Sequence, residues 1–282
     1  MYRIGVIGFG FVGNAITYGF SHYTDSLLIY DKCYPETNSL AEVVEGSDYI
    51  FLCLPTPMND EGKQNLSIMD TMVEQIVSLA RQRKIIIIKS TVLPGTARSY
   101  AEKYPEVTFI SSPEFLTEKS ARLDFINQSR IIIGSENGEA ADFGALETFK
   151  LYRLRFKHTP IFFTTYEGAE LIKYVANTFF AMKLSYLNEV YDICISLGIE
   201  YELLRDMFLS DGRIGNSHSD VPGYDGYRGY GGKCFPKDVK GFVKWAEENG
   251  HKLELAKITD FVNERIRINK DWKNIEGVIN NE

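Results

Sequence analysis

Short runs of apolar, mostly β-branched residues alternate with amphipathic stretches through the first half of the chain. Strands buried on both faces of a parallel sheet give such runs, and helices that cover a sheet give stretches with a period of 3.6 residues. Residues 1–165 are therefore predicted to form an α/β domain with a doubly wound parallel sheet. The predicted strands are Arg3–Ile7, Leu27–Tyr30, Tyr49–Leu54, Ile85–Lys89, Thr108–Ser111, Arg130–Ile133 and Ile161–Thr164, and the predicted covering helices include Ile68–Gln82 and Gly138–Tyr152.

The pattern becomes helical in residues 166–282, which we predict to be a small all-helical domain. One helical pattern runs without a break over Glu167–Leu197, far beyond the average helix of about 11–12 residues. It is expected to be a spine that joins two lobes or two subunits. The stretch Asp211–Lys237 is rich in glycine, and loops of that length are usually functional or disordered. Further helical patterns are Tyr201–Ser210, Asp238–Asn249 and Leu253–Asn274.

The composition is that of a globular protein, because 44% of the 282 residues are hydrophobic and 24% are charged. The net charge of −7 is spread along the chain. That argues against partners such as nucleic acid or an anionic membrane, which need clustered Lys and Arg. No apolar run approaches the ~20 residues that span a bilayer, and the N-terminus lacks the pattern of a secretory signal. A cytoplasmic location is therefore predicted.

A glycine motif, GFGFVG, follows the first predicted strand and begins a predicted helix. In such a motif Gly8 permits a tight turn, Gly10 lets the backbone approach a pyrophosphate, and Gly13 lets helix and strand pack closely. The second strand ends just before Asp31, about the ~20 residues beyond the glycines where a ribose-binding carboxylate belongs. This context predicts a Rossmann domain that binds NAD rather than NADP, a preference that Lys32 weakens slightly. The alternative is that Asp31 is an ordinary aspartate of a surface loop.

The four cysteines have neither the spacing of a metal site nor the density of a disulfide framework. In a reducing cytosol a special cysteine is more often reactive than bridged. Cys234 lies in the segment GYGGKCFPKD, where glycines permit close approach and lysines favour the thiolate, which is the nucleophilic form. Composition alone leaves a buried structural cysteine as an equal alternative. The cysteines Cys33, Cys53 and Cys194 are assigned no role.

Seven segments, taken together and in order, resemble the UDP-glucose/GDP-mannose dehydrogenase family, and most closely its UDP-glucose 6-dehydrogenase branch. The segments are GFGFVG, LPTP (Leu54–Pro57), KSTVLPGT (Lys89–Thr96), SPEFLTE (Ser112–Glu118), ELIKYVANTFFAMKLSYLNE (Glu170–Glu189), DGRIG (Asp211–Gly215) and GYGGKCFPKD. The resemblance implies a four-electron oxidation of a UDP-sugar that uses two NAD and one water. The best candidate reaction is the oxidation of UDP-glucose to UDP-glucuronate. The resemblance further implies that Cys234 forms first a thiohemiacetal and then a thioester with the substrate.

The resemblance also implies roles for individual residues. The catalytic candidates are Cys234, Lys173, Asn177, Asp238, Glu114, Glu118 and Thr91. The cofactor-binding candidates are Gly8, Gly10, Phe11, Val12, Gly13, Asp31, Pro55, Thr56, Thr91 and Glu118. The substrate-binding candidates are Phe115, Leu116, Lys173, Asn177, Arg213, Tyr230 and Gly231. No metal-binding residue is predicted.

Some of these roles have a physical reason beside the resemblance. Lys173 and Asn177 are four residues apart on the spine helix and share one face, where they could stabilise an oxyanion. The alternative is that both residues lie on a solvated face of the helix and have no catalytic role. Glu114 and Glu118 would share a face if their turn is helical, and Glu114 is favoured as the general base for thioester hydrolysis. Asp238 is expected to help position the catalytic water, although it could instead cap the helix that begins there.

The resemblance also carries expectations about assembly and length. In relatives, the counterpart of Arg213 reaches the substrate of a neighbouring subunit, so a homodimer built on the spine helix is predicted. Most relatives continue into a third domain that grips the uridine diphosphate, and this sequence is expected to lack it. It is then a compact enzyme, an enzyme completed by another chain or a trimmed chain, or an inactive NAD-binding protein. A single-step NAD-dependent 3-hydroxyacid-type dehydrogenase is the alternative enzyme.

Overall fold

The computed structural model describes residues 2–59, 61–275 and 277–279. The chain forms two compact units: residues 1–56 with 66–173, and residues 57–65 with 174–282. The predicted domain boundary, between residues 165 and 166, falls at the start of the longest helix, whereas the two units divide inside that helix. The short segment 57–65 joins the second unit although it lies early in the sequence.

The N-terminal unit is built on one seven-stranded sheet among the described residues, in the order β2-β1-β3-β4-β5-β6-β7. The strands are β1 (Arg3–Ile7), β2 (Ser26–Tyr30), β3 (Tyr49–Leu52), β4 (Ile85–Ile88), β5 (Thr108–Ser111), β6 (Ile131–Ser135) and β7 (Ile161–Thr165). The order changes direction at β1, which lies between β2 and β3. This arrangement confirms the predicted α/β fold of the Rossmann type.

Ten α-helices occur in the described ranges. They are α1 (Phe11–Phe20), α2 (Leu40–Gly46), α3 (Ser67–Leu79), α4 (Thr96–Lys103), α5 (Ala121–Ile126), α6 (Phe143–Arg155), α7 (Tyr166–Leu197), α8 (Tyr201–Leu209), α9 (Phe235–Glu248) and α10 (Glu254–Ile266). Two 3-10 turns, Glu118–Ser120 and Asp271–Lys273, complete the set. The 32 residues of α7 confirm the predicted spine helix.

The sheet is covered on both faces, as its sequence requires. The four consecutive isoleucines of β4 point alternately to two apolar clusters, Ile85 and Ile87 to one and Ile86 and Ile88 to the other. All four are buried. Burying such a side chain contributes roughly 1.5–3 kcal/mol, so a charge at any of these positions would be poorly tolerated.

The second unit is helical and has its own core. One cluster is Ala181, Leu184, Tyr230 and Val239, and another is Leu187, Cys194, Tyr201 and Val221. The segment 57–65 belongs to this unit because Met58 packs with Trp272 and Val278. Across the parts of the chain that the structure describes, no helix combines the length and the apolar character that crossing a bilayer requires.

Several predicted bounds shift by a few residues, as in α6, which covers Phe143–Arg155 rather than Gly138–Tyr152. Two differences go beyond such shifts. The sheet was expected to be parallel throughout, but β6 meets β5 in the antiparallel sense through the single pair Ser111 and Gly134. The predicted helical stretch Leu253–Asn274 ends as α10 at Ile266, because Arg267 leaves the helix and turns inward. The helical charge pattern does not show this, since a buried arginine looks like a surface one in sequence.

Candidate functional site

The glycine motif forms a tight turn between β1 and α1. Gly8 has a φ of 92°, and a Cβ atom there would lie 2.4 Å from the Cys53 carbonyl oxygen. A Cβ at Gly13 would lie 1.9 Å from the carbonyl oxygen of Gly8. Neither position accepts a side chain. By contrast, nothing lies within 4 Å of a Cβ built at Gly10, so the backbone is open to a ligand where α1 begins.

Asp31 directly follows β2 and faces this turn. Its carboxylate accepts hydrogen bonds from the backbone N–H of Phe9 at 2.6 Å and of Cys33 at 2.8 Å. The carboxylate is thereby fixed beside the glycine motif, where the adenosine ribose of a dinucleotide lies. The predicted cofactor residues Phe11 and Val12 form the first turn of α1, whose free N–H groups suit a pyrophosphate. These features fit NAD.

The loops after β3 and β4 are tied to each other. The Ser90 hydroxyl donates to the carbonyl of Leu54 at 2.8 Å and accepts from the Leu54 N–H at 2.9 Å. The hydroxyl of Thr56, which is 5% exposed, donates to the carbonyl of Thr91 at 2.8 Å. Two predicted cofactor residues are thus in contact, and Pro55 is exposed between Leu54 and Thr56.

Glu114 lies beyond the end of β5 and is 6% exposed. One of its oxygens, Oε2, lies 3.0 Å from the Nζ atom of Lys89, and the other accepts the Phe115 N–H at 2.9 Å. The turn after β5 is not helical before Glu118, where a 3-10 turn begins. The expected shared helical face of Glu114 and Glu118 is therefore wrong. Glu114 is buried, whereas Glu118 is exposed.

Phe115 and Leu116, predicted to contact substrate, are both half-buried. The Phe115 ring has the Arg130 guanidinium 4.3 Å from its centroid and the Lys173 ammonium 5.4 Å away. Lys173 is 9% exposed. The cation–π contacts fix the position of this lysine on α7, so the solvated helix face considered above does not describe it.

Asn177, one turn after Lys173 on α7, is 5% exposed and belongs to the second unit. Its Nδ2 atom donates to Oδ2 of Asp238 at 2.6 Å, and the Lys237 ammonium donates to Oδ1 at 2.7 Å. Asp238 is 1% exposed. The helix α9 begins three residues earlier, at Phe235, so the alternative of Asp238 as its cap is wrong.

Cys234 is the residue that precedes α9, and it is exposed. The positive end of a helix dipole favours the negatively charged form of a thiol placed there. Because Cys234 is exposed, the alternative of a buried structural cysteine is wrong for this residue. Cys194 is 1% exposed within an apolar cluster. Burial raises the pKa of the Cys53 thiol, which keeps that group neutral.

The remaining predicted substrate residues lie in the long loop before α9. Arg213 is exposed and donates to the carboxylate of Asp211. The Tyr230 side chain is 2% exposed and part of the core of the second unit, so its ring does not face solvent. Gly231 is half-buried next to it. A substrate contact at Tyr230 or Gly231 stays a prediction.

Three residues that hold the turn after β5 and the loop before α9 in place were not predicted from the sequence. Lys89 contacts Glu114, as described. Asn263 bonds both the N–H and the carbonyl of Tyr230, at 2.7 and 2.9 Å. Arg267, which is 2% exposed, reaches Asp225 at 2.6 Å. Lys89 is the first residue of the KSTVLPGT segment and could have been predicted from it. The other two gave no signal, because Asn and Arg in a charged helical stretch are normally surface residues.

Comparison with known proteins assigns both halves of the chain to one family. Residues 29–153 match the NAD binding domain of the UDP-glucose/GDP-mannose dehydrogenase family, and residues 167–265 match the central domain of that family. The prediction of NAD as the cofactor is confirmed by the first match.

Individual relatives support this family assignment. A UDP-glucose 6-dehydrogenase of Pseudomonas aeruginosa is 35% identical over 241 residues, which are 81% of this chain and 51% of that protein. A UDP-glucose dehydrogenase structure from Pyrobaculum islandicum has a TM-score of 0.80 and 26% identity, over 94% of this chain and 68% of that one. A Mycobacterium tuberculosis 3-hydroxyisobutyrate dehydrogenase, at 15% identity and a TM-score of 0.72 over 94% and 93%, shares the fold. The chain spans about half the length of the curated relatives it matches.

Proposed function

This chain belongs to the UDP-glucose/GDP-mannose dehydrogenase family, and from that premise we propose that it oxidises a UDP-sugar. The best candidate is UDP-glucose, whose primary alcohol would become the acid of UDP-glucuronate. Two NAD molecules, bound in succession at the glycine motif, would supply the two hydride acceptors. The curated UDP-glucose 6-dehydrogenases that match 81% of this chain support that choice of substrate.

The proposed chemistry is centred on Cys234. The alcohol first loses a hydride and a proton and becomes an aldehyde. The Cys234 thiolate then adds to the aldehyde carbon, and the carbonyl oxygen takes up a proton to give a thiohemiacetal. Loss of a second hydride and of that proton leaves a thioester on Cys234. Water adds to the thioester carbon, the C–S bond breaks, and the acid and the thiolate are released.

The other candidate residues would serve these steps. The Lys173 ammonium and the Asn177 amide would stabilise the oxyanion that forms on the carbonyl carbon. Asp238 fixes Asn177 through its 2.6 Å hydrogen bond, and with Thr91 it would position the attacking water. Glu114 would take the proton of that water. Glu118, which is exposed, would instead line the cofactor and sugar sites.

One observation supports this function above the others. In the second unit Cys234 is exposed at the start of α9, and Asp238 one turn later in the same helix binds Asn177. A nucleophile and an oxyanion-stabilising amide are thereby attached to one rigid element. A protein that only binds NAD has no physical need for a buried aspartate to orient that amide.

We also propose a homodimer that packs along α7. Exposed apolar residues recur on one face of this helix at Val175, Phe179, Tyr186, Ile193 and Leu197, with exposures of 45, 60, 60, 56 and 66%. Their spacings of four and seven residues form a continuous stripe, as at a helix–helix interface. Phe179→Glu is expected to convert the dimer to monomer in sedimentation analysis. A wild-type monomer at micromolar concentration would contradict this.

We place the reaction in the cytoplasm because of the thiols. The four cysteines, all among the described residues, form no disulfide, and Cys234 must stay reduced to react. A reducing compartment meets that requirement. Fractionation of cells that express the chain would test the location.

The test of the proposed function is a panel of UDP- and GDP-sugars assayed with NAD. The expected result is about two NADH per UDP-glucose consumed, together with the sugar acid. Cys234→Ser is expected to stall after the first oxidation. One NADH on a free hydroxyacid would favour the single-step dehydrogenase instead. NAD binding without turnover on any sugar nucleotide would indicate an inactive binding protein.

A further inference from the structure

Two charged side chains meet inside the N-terminal unit, just beyond the ends of β4 and β5. The Lys89 ammonium lies 3.0 Å from Oε2 of Glu114, and the side chains are only 2% and 6% exposed. The backbone N–H of Phe115 donates to Oε1 at 2.9 Å. Both carboxylate oxygens therefore have a fixed contact, which sets the direction in which the carboxylate points.

Among the described residues, the other groups in contact with the Lys89 ammonium are neutral. The Tyr152 hydroxyl of α6 and the Pro113 carbonyl each lie 3.4 Å from Lys89 Nζ. Burial raises the pKa of the Tyr152 hydroxyl and of the Cys53 thiol, which follows β3, so both stay protonated. Burial alone lowers the pKa of Lys89, but the Glu114 carboxylate, together with Tyr152 and Cys53, more than offsets this, and the pKa of Lys89 lies above its ordinary value.

A buried ion pair is seldom retained for stability alone, because the cost of taking two charges out of water cancels much of their attraction. What such a pair does is keep a carboxylate charged where it would otherwise take up a proton. A general base has to be a charged carboxylate at the pH of the reaction. In this structure the Lys89 ammonium is the counter-charge that faces the Glu114 carboxylate, at 3.0 Å.

We propose that Lys89 is a positioning residue that keeps Glu114 ionised and aimed as the general base for thioester hydrolysis. This inference rests on the proposed function. In that step water attacks the thioester carbon, its proton passes to the Glu114 carboxylate, and the C–S bond breaks to release the thiolate. Lys89 makes no contact with substrate and acts only through Glu114.

The step that Lys89 serves comes after both hydride transfers, and this makes the inference testable. The variant is Lys89→Met, which is close in length and has no charge. In rapid mixing with UDP-glucose and NAD it is expected to release about two NADH per Cys234 at the wild-type rate. Steady-state release of NADH is then expected to be about 100-fold slower than in the wild type, since a general base accelerates its step by a factor of that order.

A pH profile separates this role from a structural one. Without its counter-charge a buried carboxylate takes up a proton at higher pH. The acidic limb of steady-state turnover in Lys89→Met is therefore expected to move to higher pH by about one unit or more. Lys89→Arg keeps the charge and is expected to restore most of the wild-type profile.

Lys84 provides a matched control because it is 2% exposed, against 3% for Lys89, and precedes β4 by one residue. Its ammonium donates to the carbonyl of Ser47 at 2.7 Å, away from Glu114. Lys84→Met removes an equally buried lysine and is expected to keep the wild-type burst, steady state and pH profile. If Lys89→Met does not fold, Lys89→Met/Glu114→Gln, which has no unpaired carboxylate, is expected to fold and to show the same burst and slow hydrolysis.

The opposite results overturn the inference. A wild-type steady state and acidic limb in Lys89→Met would show that Glu114 does not depend on Lys89. Loss of the burst itself, in the folded single or double variant, would show that the pair serves an earlier step or only the fold. Failure of the proposed function can be told apart from failure of this inference. If the proposed function is wrong, the wild-type enzyme releases no NADH from any UDP-sugar, and that result overturns the proposed function and the role of Lys89 together.

Discussion

Asn263 on α10 fixes the loop that leads to Cys234. Its Oδ1 accepts the Tyr230 N–H at 2.7 Å and its Nδ2 donates to the Tyr230 carbonyl at 2.9 Å. Asn263 is 1% exposed and Tyr230 is 2% exposed, so water does not replace these bonds. Asn263→Ala leaves a buried donor and a buried acceptor unsatisfied, each at a cost of about 1–3 kcal/mol. The second unit is therefore expected to lose about 3 kcal/mol of its free energy of unfolding.

The two tryptophans provide the assay for this prediction. Trp245 lies in α9 and Trp272 in the second 3-10 turn, both in the second unit. Urea unfolding followed by their fluorescence therefore reports on that unit. The control is Asn216→Ala at an exposed loop position, which should change the free energy by no more than about 0.5 kcal/mol. If Asn263→Ala lowers the free energy of unfolding by less than about 1 kcal/mol, its two hydrogen bonds do not stabilise the loop as predicted.

Three further predictions concern the N-terminal unit. Gly13→Ala places a Cβ 1.9 Å from the Gly8 carbonyl oxygen, so the NAD dissociation constant should rise at least about tenfold in titration calorimetry; unchanged affinity would contradict the assigned turn. Asp31→Ala should weaken NAD by about tenfold but leave NADP unaffected, and equal losses would argue against ribose binding. Burial raises the pKa of Glu170 to about 8 despite its two backbone hydrogen bonds. Because the folded state then keeps a proton that the unfolded state releases, the free energy of unfolding should fall as the pH rises from 4.5 to about 8. Glu170→Gln should remove that slope, and a slope that persists would show that another group causes it.

The sequence predicted the framework of the N-terminal unit well because its strands are buried on both faces. Thr108–Ser111 and Arg3–Ile7 have the predicted bounds, since short, mostly apolar runs that contain β-branched or aromatic residues favour strands. The spine helix was equally clear, because the helical pattern over Glu167–Leu197 covers all but the first of the 32 residues of α7. The glycine turn could be placed because Gly8 and Gly13 accept no side chain.

What the sequence did not show are partners that are distant along the chain. Lys89 and Glu114 are 25 residues apart, and a lysine at the end of a strand carries no sign of its burial. Arg267 looks like one of several charges in the last helix, yet it is buried against Asp225. The ring of Tyr230 turned out to be part of a core, because nothing in a loop rich in Gly and Tyr indicates which tyrosine points inward.

The proposed mechanism depends on a covalent bond between Cys234 and the oxidised sugar. The most direct measurement is mass spectrometry of the tryptic peptide 234–237 from enzyme that is acid-quenched during turnover of UDP-glucose with NAD. We expect a Cys234 peptide that carries the UDP-glucuronyl group as a thioester and that loses it on treatment with hydroxylamine. An unmodified Cys234 peptide at every quench time, in enzyme that is releasing two NADH per substrate, would contradict it.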